Sequence, residues 1–313
     1  MKFSLSQLEY ILALNAYGQF STAAEKCFIT QPTLSMQIKK MENDLDITIF
    51  DRSKQPIVAT EIGQKIIHQA KLVLKEAEQI NEIIDANKNR MKGNLRLGVI
   101  PTIAPYLLPQ FIGQFAEKYP EVQLKIRELE TKELVKALEK DVIDIGIAST
   151  PIKGEHMMEF PLYNERILIY AHPEHPIQNK EAVYLEDLKN ENIWLLSPGH
   201  CFRSQVINVC DLRATVSHLP FEYESASIET LVKMVDMQGG ITLIPELAVN
   251  DLSSAQLSNV KEIHDYKAVR EVSLITNRLF VMEQKKLALE KEILLATQPL
   301  IKGNKDGKVV QWS

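Results

Sequence analysis

Two cysteines set the chemistry open to this chain of 313 residues. Cys201 and Cys210 are nine residues apart, and the remaining one, Cys27, lies near the N-terminus. Cys201 follows an apolar stretch, Ile193 to Leu196, that reads as a strand, and then a turn, Ser197-Pro198-Gly199. It therefore opens a predicted helix running toward Cys210. Unpaired N–H groups and the dipole at a helix N-terminus favour a thiolate over a thiol. His200 beside it and Arg203 two residues on supply positive charge or hydrogen-bond donors. If 201–210 is one helix, nine steps of ~100° put the two side chains on opposite faces, with a rise of ~13.5 Å. A disulfide needs Cα atoms within ~7 Å, so the pair cannot join without unwinding the segment. The plain alternative makes Cys201 a small buried apolar residue and Thr102 a helix cap. Cys27, on a short helix, reads as core packing.

Other chemistries find less support. His68, His156, His172, His175 and His218 show no metal-ligand spacing with Cys or carboxylate partners, so no metal site and no cofactor are expected. No Cys–His–Asp set stands at readable spacing, which argues against catalytic turnover. Three cysteines in a chain of this length cannot form a disulfide framework, and any bond between them would be transient. No apolar run approaches the ~20 residues that span a bilayer. Met1 to Leu5 begins no signal-peptide core, so a cytoplasmic protein without a membrane partner is expected. Hydrophobic residues at 45 % and charged residues at 25 % exclude a disordered chain. The net charge is −5, yet residues 1–92 carry 12 basic and 11 acidic side chains. Nucleic-acid binding by that section would have to use local patches.

The elements follow from periodicity. Leu5, Leu8, Ile11, Leu12 and Ala16 mark a first helix that Gly18 stops. Ser21 or Thr22 can cap a second, over 23–27. Thr30 or Gln31 begins a third, with Pro32 acceptable in its first turn and an apolar stripe of Leu34, Ile38, Met41 and Leu45. Short strands at 47–50 and 56–59 flank a polar tip, which completes a winged helix-turn-helix outline over 1–60. One long linker helix is predicted over 61–90, within a 61–92 segment. Its Ile66, Ala70, Val73, Ala77, Ile80 and Ile84 are spaced 4, 3, 4, 3, 4, a heptad seam that favours a dimer over packing on its own domain. From 93 to 301 strands alternate with helices, an α/β module long enough for two subdomains around a cleft. The tail, 302–313, is polar and expected to be loose.

The N-terminal residues Leu5-Ser6-Gln7-Leu8-Glu9-Tyr10, Ser21 to Glu25, Thr30 to Ser35, Ile38 to Glu42 and Phe50-Asp51-Arg52 resemble the LysR-type transcriptional regulators. The resemblance covers nearly the whole chain. It implies an α plus α/β fold: a winged helix-turn-helix, a dimerising linker helix and a two-subdomain effector module like a periplasmic binding protein. It also implies double-stranded DNA, RNA polymerase and further copies of the chain as partners, commonly as a homotetramer. Within the motif Thr30, Gln31, Pro32, Thr33, Ser35 and Met36 are placed at the major groove, where Gln31, Thr33, Ser35 and Met36 can reach bases. Lys39, Lys40, Arg52 and Lys54 suit phosphates or the minor groove, although Lys39-Lys40 alone would read as a solvated face.

Further along, Ile100-Pro101-Thr102, Pro105 to Pro109, Gly199 to Arg203 with Cys210, Ser227 to Leu231 and Gly240 to Pro245 are similar to the hydrogen-peroxide-sensing branch of that family. That likeness implies peroxide as the signal, a reversible Cys201–Cys210 disulfide, a cytosolic thiol reductant to reset it, and Thr102 and Thr131 beside the peroxide. Two competing readings remain: a regulator that binds a small metabolite in the interdomain cleft, and a solute-binding protein or cysteine enzyme on the α/β module. The winged helix argues against the last.

Overall fold

A computed structural model describes residues 2–87, 91–152, 154, 156–189, 191, 193–210, 225–278, 280, 282–302 and 307–310. The chain forms two compact units, 1–90 and 91–313.

The first unit contains α1 (Leu5–Tyr17), α2 (Phe20–Lys26), α3 (Gln31–Leu45), β1 (Phe50–Asp51), β2 (Val58–Ala59) and α4 (Glu61–Asn87). Ser4 and Gln7 form a capping box on α1, and Gly18, at φ 66°, ends it in the left-handed region that glycine adopts without strain. Thr30 caps α3 as expected, with Pro32 in its first turn. The second helix departs from expectation. It begins at Phe20 with Gln19 as its N-cap, and neither Ser21 nor Thr22 caps it. The hairpin β1–β2 is shorter than the predicted strands, pairing only Phe50 with Ala59 and Asp51 with Val58. Ile11, Leu14, Leu34 and Ile38 are fully buried at the centre of the three helices.

The seam of α4 divides in two. Ala70 is buried in the core of its own domain, and Ile66 and Val73 pack against that core. Ile80 and Ile84 are exposed, at 61 % and 45 %. The heptad spacing therefore does not describe one continuous surface: its first half covers the winged helix. Ala70→Glu is expected to lower the stability of this unit by about 2–5 kcal/mol, because it buries an unpaired carboxylate. Ile80→Glu removes no packing within its own unit and should cost far less, through any pairing of chains alone. Thermal unfolding of the two variants reads the difference.

The second unit follows the order β3 (Gly93–Val99), α5 (Ala104–Lys118), β4 (Val122–Glu128), α6 (Thr131–Glu139), β5 (Ile145–Thr150), β6 (Met157–Ala171), β7 (Ile193–Trp194), α7 (Cys201–Cys210), α8 (Ile228–Gln238), β8 (Ile241–Pro245), α9 (Ser254–Leu257), β9 (Val260–Lys261), β10 (Ala268–Asn277), α10 (Glu283–Thr297) and β11 (Lys308–Val309). Its sheet runs β4-β3-β5-β10-β6-β8-β7, with β9 on β6 and β11 on β10. β3, β4 and β5 are parallel, as α/β crossovers require. The long strands β6 and β10 run antiparallel. They link two hydrophobic cores, one around β3 and β5, the other around β8 and the outer half of β6. Two subdomains are the arrangement expected from sequence; the pair of long strands that joins them is seen only in the structure.

The tail is the other departure. Lys308 and Val309 add a parallel strand to Ala268 and Val269 of β10, and Val310 is buried in the second core. The expected loose tail thus contributes a strand of the effector module, while 303–306 and 311–313 lie outside the described residues.

Candidate functional site

Helix α7 starts where the chain leaves β7 through a tight turn. Gly199 in that turn has φ 110°, and a Cβ there would lie 2.5 Å from Oε2 of Glu130, so both backbone shape and space require glycine. The turn delivers Cys201 as the first helical residue, fully buried. Burial pushes its thiol above the ordinary range. Three influences act the other way: a hydrogen bond with the hydroxyl of Thr131 at the start of α6, the positive charge of Arg270, and backbone N–H groups at the helix N-terminus. The sulfur is thus kept protonated by lack of water while its surroundings are arranged for the anion. Alkylation of Cys201 should accordingly keep rising with pH beyond the ordinary thiol range, since the reactive thiolate forms only above its raised pKa. A plateau near neutral pH in the alkylation profile would contradict this.

Arg270 is the group that sequence reasoning missed. It is 1 % exposed, on β10, and its Nε donates to Oε1 of Glu165 on β6 at 2.7 Å. Its Nη1 donates to Thr102 Oγ1 at 3.2 Å and its Nη2 to the Thr102 carbonyl at 2.9 Å. Glu165 also accepts from the N–H of Leu247. The Phe202 ring lies 5.0 Å from the guanidinium carbon. Thr102 is therefore a support of Arg270 through both its hydroxyl and its carbonyl. The register Arg270↔Glu165 places the ion pair on the two crossing strands. A charged pair on facing strands, Glu165-Arg166 and Arg270-Glu271, was the available signal.

His200 and Arg203, expected to tune the thiolate, have other engagements. Nη1 of Arg203 donates to the Leu196 carbonyl at 2.6 Å. His200 is buried, its Nε2 is 3.9 Å from Glu130 Oε1, and desolvation lowers its pKa despite that carboxylate, favouring the neutral ring. Gln205, one turn along α7 from Cys201, is fully buried and links Ser149 Oγ to the Val310 carbonyl through Nε2, each at 3.0 Å. Among the described residues, His200 Nε2, Gln205 Oε1 and the Tyr163 hydroxyl are buried polar atoms without a hydrogen-bond partner. Tyr163 lies two residues before Glu165 on β6 and feels the charges of both Glu165 and Arg270.

Cys210 belongs to the other core. It packs with Phe202, Val206 and Val209, and burial pushes its pKa up to about 12. Cys201 packs in the first core. The two thiols are free and stand at opposite ends of one intact helix, ~13.5 Å apart along its axis. Residues 211–224, which follow, lie outside the described residues.

In the first unit, Gln31, Pro32, Met36, Lys39 and Lys40 are exposed on α3, and Thr33 and Ser35 are half-buried. Thr30 and Thr33 share a hydroxyl–hydroxyl bond of 2.8 Å. Arg52 in the wing is tied to α3: its Nη2 donates to Glu42 Oε2 at 2.8 Å, and Oε1 of Glu42 accepts from the N–H groups of Ile49 and Phe50. Arg52 thus braces the wing on the helix. Lys54 lies 3.7 Å from Asp51. Among the described residues no group of three His, Cys, Asp or Glu could hold a metal, and no helix is long and apolar enough to cross a membrane.

Comparison with known proteins bears on both units. Residues 5–64 match the model of the bacterial regulatory helix-turn-helix proteins of the lysR family, and 88–284 match the LysR substrate binding domain. The DNA-binding transcriptional dual regulator OxyR of Escherichia coli K12 is 34 % identical over 246 residues, 79 % of this chain and 80 % of that protein. A full-length OxyR variant of Pseudomonas aeruginosa superposes with a TM-score of 0.76 at 32 % identity, covering 94 % of this chain and 98 % of the other. A hydrogen-peroxide-bound OxyR variant of Corynebacterium glutamicum gives 0.63 at 26 % identity, covering 96 % and 94 %.

Proposed function

The chain belongs to the LysR family of bacterial helix-turn-helix regulators, and we propose that within it this protein is a transcription factor that senses hydrogen peroxide through a reversible Cys201–Cys210 disulfide. One observation carries the chemistry: a buried thiol at a helix N-terminus, in contact with Thr131 and acted on by the fixed positive charge of Arg270. Peroxide enters as a small neutral guest, which a buried polar site can admit without desolvating an ion. The Cys201 thiol gives up its proton as its sulfur attacks one peroxide oxygen, forming an S–O bond as the O–O bond breaks. The sulfur is oxidised to sulfenic acid, and the departing hydroxide takes the proton released by the thiol and leaves as water. Arg270 faces the negative charge that develops on the departing oxygen, and Thr131 holds the sulfur.

The second step needs a new local fold. The Cys210 sulfur attacks the sulfenic sulfur, an S–S bond forms, and the hydroxyl leaves as water with the Cys210 proton. Because ~13.5 Å of helix separates the pair, α7 must unwind and Cys210 must leave its core. Loss of that packing is the structural signal, and a thiol reductant restores the helix.

The output is DNA binding. Two chains pair through the exposed distal residues of α4, Ile80 and Ile84, and dimers associate into a homotetramer. Each α3 enters a major groove by its N-terminal turn, with RNA polymerase as the downstream partner. The test is in vitro transcription with purified polymerase, from promoters bearing a site selected by the full-length protein from random duplexes. Peroxide should change the output of wild type, and a reductant should reverse it. Lys39→Ala should weaken binding to every duplex and lower the salt slope by about one phosphate contact. Output that ignores peroxide but follows a metabolite would overturn the proposal.

A further inference from the structure

Phe28 is the most exposed large apolar side chain of the described residues, at 96 %. It sits in the turn between α2 and α3, two residues before the cap of α3. Its backbone is in the left-handed region, at φ 56°, where a bulky non-glycine residue is strained. Asparagine or glycine would serve that conformation better. The strain is locked in by the surrounding turn: the N–H of Cys27 donates to the Ala23 carbonyl, that of Phe28 to Glu25 and that of Ile29 to Ala24, each at 3.1 Å. The neighbouring Ile29 packs against the core of the domain, so the turn is anchored by one side chain and presents the other to solvent. Folding uses the Ile29 side chain; neither folding nor solubility gains from the Phe28 ring.

Its position indicates what does. The turn leads directly into Thr30, Gln31 and Pro32, and Gln31, Pro32 and Met36 are exposed at the same end of α3. A helix that enters the major groove by its N-terminus brings the turn that precedes its cap close to the wall of the groove. The surfaces there that accept an aromatic ring are the thymine methyl groups and the deoxyribose carbons. Resting on the DNA-binding reading above, we propose that Phe28 is a DNA-contacting residue whose ring packs against the apolar wall of the major groove beside α3. The strained turn holds the ring out before DNA arrives, so little ordering remains to be done on binding.

The experiment uses full-length protein and a duplex that the wild type selects from a random-sequence pool, followed by fluorescence anisotropy over a range of salt. Phe28→Ala and Phe28→Asn should each lower affinity by about tenfold, the scale of one lost base-edge contact. The slope of log affinity against log salt should not change, because no phosphate contact is lost. Phe28→Asn should also melt no lower than wild type, since the left-handed turn is relieved, so weaker binding cannot be laid to misfolding. Replacing single thymines by deoxyuridine identifies the surface. One position at which wild type loses affinity and Phe28→Ala does not marks a methyl contact, and no such position marks the sugar. Affinity within about twofold of wild type for both variants overturns the inference. So does normal affinity with lost transcription, which would place the ring on the polymerase. A pool from which wild type enriches nothing overturns the DNA-binding reading itself, and this inference with it.

Discussion

Cys201→Ser is expected to hold the protein in its reduced conformation at every peroxide dose. A serine hydroxyl at this site cannot form the S–O bond, and no other described residue offers a thiol there: Cys210 lies in the other core and Cys27 in the other unit. Cys210→Ser should behave differently although it too lacks the disulfide. The attack at Cys201 survives, so sulfenic acid accumulates and then over-oxidises. Dimedone labelling followed by mass spectrometry separates the two, with Cys210→Ser labelled and Cys201→Ser unlabelled at this position. Transcription should fail to respond to peroxide in Cys201→Ser. A normal response from that variant would remove Cys201 from the mechanism.

Arg270→Lys should slow the peroxide reaction by about 10²–10³, the loss found when a preorganised donor to a developing oxyanion is removed. Lysine keeps the charge but cannot serve Glu165 and both oxygens of Thr102 at once, as the guanidinium does. Arg270→Met goes further, because it leaves Glu165 buried and unpaired at 0 % exposure, which costs about 3–5 kcal/mol of stability. Thr102→Val should slow the reaction less than Arg270→Lys, since the Thr102 carbonyl still holds Nη2. Arg203→Lys is the control. Its partner is the Leu196 carbonyl, and its peroxide rate should stay within a few-fold of wild type. Stopped-flow oxidation rates under excess peroxide rank the variants. Equal slowing by the Arg270 and Arg203 changes would contradict the geometry.

Much of the fold is legible in the residues. The cap at Thr30 and the stop at Gly18 follow from local rules that tertiary structure does not override. The first half of β6 is harder to see, because Glu159 and Pro161 interrupt any strand pattern. Its pairing with β10 shifts register between Val272 and Ser273, next to Pro161, and an irregularity of that kind is where a strand tolerates proline. The start of β10 is hidden for a related reason. Strand texture is plain only from Glu271, and Arg270 looks like a surface charge until Glu165 is found opposite it. A sequence names the charges but not which pair is buried.

The candidate site divides the same way. Cys201 and Cys210 stand out by type and spacing, Thr131 only through the family resemblance, and α7 spans the two cysteines as the turn at Gly199 predicts. Gln205 and Val310, 105 residues apart, meet only in the folded chain. The seam of α4 shows the limit from the other side. Apolar spacing says that a face is covered, and says nothing about whether its own domain or another chain covers it. Ala70 is covered at home, while Ile80 is left exposed.

The central claim is that peroxide converts two thiols at opposite ends of α7 into a disulfide. Reduced wild-type protein is treated with equimolar peroxide, alkylated, digested without reductant and mapped by mass spectrometry. The account predicts a peptide pair joined through Cys201 and Cys210, with Cys27 alkylated. A product in which Cys201 and Cys210 are both alkylated, or a bond that runs through Cys27, would contradict it.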